Sequence, residues 1–106
     1  MMAAYKEKVI DKVRALRNEV VPSAKMILYG SQARGDARTE SDWDFVMLLN
    51  KDKITREDFD RYAFPFVELG WSMGEYFSVK QYTIDDWAKR KYTPFCQNVI
   101  RDGIEL

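Results

Sequence analysis

Two aspartates one residue apart, Asp42 and Asp44, open an apolar run, and a Gly30-Ser31 pair closes an earlier one. On a strand, side chains at i and i+2 share a face, with backbones roughly 7 Å apart. Carboxylates so placed form a bay for a hard divalent cation, and Mg²⁺ takes few protein oxygens while keeping phosphate oxygens and water as its other ligands. Glycine has no Cβ, so backbone N–H groups at Gly30 can approach a phosphate. A serine at the start of a helix adds a hydroxyl donor where the dipole favours anions. Arg34 offers a guanidinium fork for phosphate oxygens. Cradle and metal pair on neighbouring strands suit nucleotidyl transfer, in which a divalent cation keeps attacking and leaving oxygens in line.

Each piece alone has a plainer reading. Gly-Ser after a strand is commonly only a turn, Ser41 or Asp42 can cap a helix, and a lone arginine usually faces solvent. The short apolar run Phe45-Val46-Met47-Leu48-Leu49 favours a buried strand over a helix. Asp36 and Glu40, between the two motifs, read as loop residues. Trp43 alternates with the two aspartates and belongs to the opposite, core face.

The elements that position these residues follow from periodicity. Tyr5, Val9, Val13, Leu16 and Val20 make a helical stripe over 3–20, ended by Pro22-Ser23. A strand over Met26 to Tyr29 and a helical turn after Ser31 come next. Thr55 reads as an N-cap with Asp58 as its capping-box partner, for a helix reaching about Leu69 that Pro65 kinks near Phe64 or divides. Gly70 to Gly74 reads as a turn, and Glu75 to Tyr82 as the third strand. Its period-two pattern puts Glu75, Phe77, Val79 and Gln81 on one face and Tyr76, Ser78, Lys80 and Tyr82 on the other, without deciding which face joins the aspartates. Thr83 caps a helix, and Thr93-Pro94 starts a last one that Gly103 ends. The fold expected is α/β (α+β): one domain over 1–106, with a small mixed sheet of three to four strands and helices mainly on one face.

Gly30-Ser31-Gln32-Ala33-Arg34-Gly35, followed by Ser41-Asp42-Trp43-Asp44 and the apolar strand, resembles the G-S-x-A-R-G…S-D-x-D signature of the minimal nucleotidyltransferases of the DNA polymerase beta superfamily. The ending from Pro94 and Phe95 through Asn98-Val99-Ile100-Arg101-Asp102-Gly103 to Leu106 is similar to the C-termini of its small stand-alone members. The resemblance implies a nucleotidyltransferase fold, Asp42 and Asp44 as catalytic Mg²⁺ ligands, and Gly30, Ser31 and Arg34 as contacts to a nucleoside triphosphate, ATP being expected. Such enzymes typically carry a third carboxylate on a strand beside the metal pair. Glu75 is the acidic residue of the expected third strand and so the candidate, with an exposed strand-start residue as the alternative. The resemblance further implies transfer of AMP to a hydroxyl of a protein or small molecule, and a HEPN-type helical partner in a toxin–antitoxin pair. The competing class is a non-catalytic binding module that sequesters a partner with the same fold.

Composition narrows the field. The chain has 106 residues, 46% of them hydrophobic, enough for one core. Lysine plus arginine equals aspartate plus glutamate at 17 each, which argues against an extended nucleic-acid surface. One cysteine, Cys96, and no histidine exclude an internal disulfide and the common zinc sites, and no imidazole can serve as base. The charged N-terminal stretch is unlike a signal peptide and no apolar run approaches a membrane span, so a cytoplasmic protein is expected, in which a homo-oligomer is allowed.

Overall fold

The computed structural model describes residues 2–38 and 41–106. A four-stranded mixed sheet in the order β3-β2-β1-β4 is its centre. Helix α1 (Met2–Val20) leads into β1 (Lys25–Tyr29), the short α2 (Ser31–Arg34) and β2 (Trp43–Leu49). Then come α3 (Arg56–Asp58), a π-helical segment (Phe59–Ala63), α4 (Phe64–Ser72) and β3 (Phe77–Thr83), followed by α5 (Ile84–Lys89), α6 (Pro94–Asp102) and β4 (Ile104–Glu105). β2 runs antiparallel to β1 and parallel to β3. The parallel pair needs a long crossover, which α3, the π segment and α4 provide.

Strand alternation sorts the side chains into two clusters. Trp43, Phe45, Met47 and Leu49 of β2, with Met26 and Leu28 of β1 and Phe77 of β3, meet Val9 and Val13 of α1 and Phe66 of α4 in the main core. The other face is smaller: Val46 and Leu48 pack with Ile27, Tyr29, Tyr82, Phe95 and Val99 beneath α5 and α6. The main helices thus cover one face, as expected, while α6 covers part of the second. β2, buried on both faces beyond its first residues, reads as an apolar run for that reason.

Local chemistry sets the boundaries. Thr55 accepts from the Asp58 N–H while the Asp58 carboxylate accepts from the Thr55 N–H at 2.7 Å, a complete capping box. The break expected around Pro65 takes the form of a π turn: the Phe64 N–H donates to the Phe59 carbonyl, and Pro65 enters the first turn of α4, where its missing N–H costs no hydrogen bond. Thr83 and Thr93 cap α5 and α6.

Two expectations shift here. Gly70 is not part of a turn. It lies in α4, where a Cβ would come within 2.8 Å of the Phe77 ring, so glycine serves close helix-to-sheet packing and the turn falls at Met73-Gly74. β3 consequently begins at Phe77 rather than Glu75 and runs one residue further, to Thr83.

Candidate functional site

The end of β1 and the start of β2 lie side by side, with Tyr29 paired to Asp44. Gly30 follows with φ 77° and ψ −159°, a region that side chains with a Cβ essentially do not enter. An added Cβ would also lie 2.7 Å from Asp44 Oδ2. The carboxylate therefore rests directly against the bend, in space that only glycine leaves free.

Ser31 opens α2, and the Arg34 N–H returns to the Gly30 carbonyl at 3.1 Å. The first N–H groups of a helix have no partner within it, and no side chain among the described residues caps this one. Around the bend, Lys6 Nζ donates to the Ala33 carbonyl at 3.2 Å and Gln32 Nε2 to the Ser41 carbonyl at 3.2 Å. Gly35, at φ 85°, closes the turn with its N–H on the Ser31 carbonyl.

Asp42 is exposed and Asp44 half-buried, while Trp43 between them is buried in the main core, so the two acids share the face opposite Trp43. Partial burial lifts the Asp44 carboxyl above the ordinary carboxylate range, the charge of Asp42 adds to the lift, and Lys80 opposes it. Burial, then Asp44 and Tyr82, push the Tyr29 phenol up to about 12, so it stays protonated at neutral pH. Two like charges on one face at the rim of an apolar sheet, with no hydrogen bond to Asp44 among the described residues, suit a cation between them. The donors are carboxylate oxygens, which fit Mg²⁺. Among the described residues no group of three or more histidine, cysteine, aspartate or glutamate side chains could hold a metal.

The other expected residues divide. Arg34 stands on the same bend, with Nε 3.2 Å from Asp36 and Nη1 3.9 Å from Asp102 at the end of α6, so two carboxylates hold the guanidinium meanwhile. Glu75 does not join the pair. It precedes β3, accepts a hydrogen bond from Trp43 Nε1 at 3.0 Å and another from the Tyr5 hydroxyl, and so sits on the core side of the sheet. Its carboxylate pushes Tyr5 up to about 12. Half-buried in the connection before β3 and held by two donors, it is neither a third acid beside the pair nor the exposed strand-start residue of the alternative. Glu40 lies outside the described residues.

Residues beside the pair that sequence reasoning did not single out are Tyr29, Ser78 and Lys80. Ser78 stands opposite Asp44 in the β2–β3 register. Their signal was present in the period-two pattern of β3, but only the pairing of strands distant in sequence shows which face meets Asp44. The pocket lined by Val20, Pro22, Leu49, Lys51 and Tyr62 contains none of these residues and lies at the opposite end of β2.

Comparison with known proteins extends the geometry. Residues 6–100 match the family described as the nucleotidyltransferase domain. No curated protein matches the chain in sequence. Among solved structures, the crystal structure of a toxin-antitoxin with AMP-PNP is similar with a TM-score of 0.63 and 18% identity, over 90% of this chain and 69% of the other. At that identity the likeness speaks for the fold.

Proposed function

Because the chain belongs to the nucleotidyltransferase domain family, we propose that it moves AMP from ATP to a hydroxyl on a protein or small-molecule acceptor, with Mg²⁺ on Asp42 and Asp44. Family membership makes it a nucleotidyltransferase; the metal, the nucleotide and the acceptor are the proposal. The contact of Asp44 Oδ2 with the Gly30 bend supports it most, because it brings carboxylate and phosphate cradle into reach of one triphosphate.

In the reaction, the acceptor hydroxyl oxygen bonds to the α-phosphorus. The bond from that phosphorus to the oxygen bridging to the β-phosphorus breaks, pyrophosphate leaves with the electron pair, and the hydroxyl proton passes to water. Gly30 and Ser31 hold triphosphate oxygens through backbone N–H and hydroxyl donors. Arg34 exchanges Asp36 and Asp102 for phosphate, a charge-assisted partner of the same kind. The bound cation supplies neutralisation of the phosphates and polarisation at the α-phosphorus.

A HEPN-type protein is the proposed partner, with this chain as antitoxin. The sequence signature and the fold shared with a toxin-antitoxin structure support that pairing. One observation favours the second reading, a binding module without turnover: the site-facing residues of β3 are Ser78, Lys80 and Tyr82, none of them acidic. The two readings separate when the protein is incubated with labelled nucleotides, Mg²⁺ and the product of the adjacent gene. Transfer of label from ATP, abolished in a folded Asp42→Asn variant, is the expected result. Transfer that survives Asp42→Asn contradicts the site. Absence of transfer, with partner binding intact in both forms, supports the binding module.

A further inference from the structure

β3 lies parallel to β2 with Ser78 beside Asp44 and Lys80 beside Val46. Phe77 and Val79 belong to the main core, so Lys80 projects from the face that carries Asp44. Its Nζ lies 4.7 Å from the Phe95 ring centroid and 6.0 Å from that of Tyr29. Tyr29 is on β1, beyond β2, and is the register partner of Asp44. The lysine stem therefore leans across β2, and two aromatic faces hold the ammonium at the edge of the site. None of the ion pairs among the described residues includes Lys80.

Among the described residues this ammonium has no ion-pair partner, and it stands on the face that carries Asp44 and, next to it, the Gly30 bend, so it is available for a ligand. Charge balance says what kind. A strand carboxylate with a second divalent cation carries a net single positive charge, and a lysine brings the same charge in one covalently attached group.

We propose that Lys80 is a phosphate-binding residue of this site, acting where a third carboxylate and a second cation would otherwise act. A triphosphate is then held by Lys80, by the Gly30-Ser31 bend and by one divalent cation on Asp42 and Asp44. The inference rests on the site being a nucleotidyltransferase centre.

Calorimetric titration of ATP and of inorganic tripolyphosphate, each with Mg²⁺, into the wild type, Lys80→Met and Lys80→Arg tests it. Methionine keeps an unbranched stem against Phe95 and removes the charge; arginine keeps the charge. The expected result is a loss of affinity of at least fivefold for both ligands in Lys80→Met, most of it restored in Lys80→Arg, with thermal melting of all three proteins alike. A smaller loss in Lys80→Met overturns the role, and so does an equal loss in Lys80→Arg, which would mark packing of the stem rather than charge. A wild type that binds ATP beside an unchanged Lys80→Met removes only the lysine's part. A wild type that binds neither ligand removes this inference and the centre it rests on together.

Discussion

Gly30 and Asp44 are one device at the residue scale. The backbone at Gly30 is open only to glycine, and the space its missing side chain leaves is filled by the Asp44 carboxylate. Gly30→Ala should destabilise the protein by about 1–3 kcal/mol from backbone strain and should also displace Asp44, so thermal melting and nucleotide affinity fall together. An alanine variant that keeps both would mean that the bend is not built around the acid. The opposite pattern is expected for Asp44→Asn. A carboxyl whose pKa is raised in the folded state is more readily ionised in the unfolded chain, so at neutral pH its charge costs the fold stability that returns as pH falls through the raised value to the ordinary 3.8. Removing that charge in metal-free buffer should leave melting unchanged or raise stability by up to about 1 kcal/mol, while transfer is lost. A clear fall in melting temperature would show that Asp44 is a structural anchor instead.

At the scale of elements, the start of α3 has its own titration. The Asp58 carboxylate is buried, with Lys51 Nζ at 2.7 and 2.8 Å, and closes the capping box with Thr55. The Lys51 ammonium, more than burial opposes, holds its pKa below the ordinary 3.8. Its contribution is therefore complete above the unfolded value and is lost as pH falls from about 4 through the lower folded value. Asp58→Asn should cost on the order of 2 kcal/mol at pH 7, and urea unfolding should show this difference from the wild type narrowing as pH drops below 4. A difference that stays constant would place the stability elsewhere. Element identity was largely legible in the sequence because caps and stripes are local: the α1 stripe, the Thr55 box, and Thr83 and Thr93 all stand where patterning put them. The start of β3 was not legible. Gly70 looks like turn chemistry, but the close approach of Phe77 is the reason for a glycine there, and that contact joins α4 to a strand not yet formed when the sequence is read locally. Displacing the strand start by two residues leaves Glu75 in the connection, where Trp43 and Tyr5 take its carboxylate.

For the whole molecule, the sheet divides labour between its faces. One is sealed by α1 and α4 over the main core; the other, partly covered by α6, carries Asp44, Tyr29 and Lys80. The bend and the acid pair were legible as motifs because each lies within a few residues of sequence, and the β1–β2 register sets them side by side. Lys80 was not, since its approach to Asp44 depends on a parallel pairing across a crossover. Among the described residues no helix is long and apolar enough to cross a membrane. Asp42 and Asp44 are proposed to share a cation with a triphosphate seated on the Gly30-Ser31 bend, and substoichiometric Mn²⁺ added with ATP to isotope-labelled protein checks this by NMR. Paramagnetic broadening should strike Gly30, Ser31, Asp42 and Asp44 first and spare Lys51 and Tyr62 at the far end of β2. Broadening that begins anywhere else, or that is undiminished at those four residues in Asp44→Asn, would contradict the account.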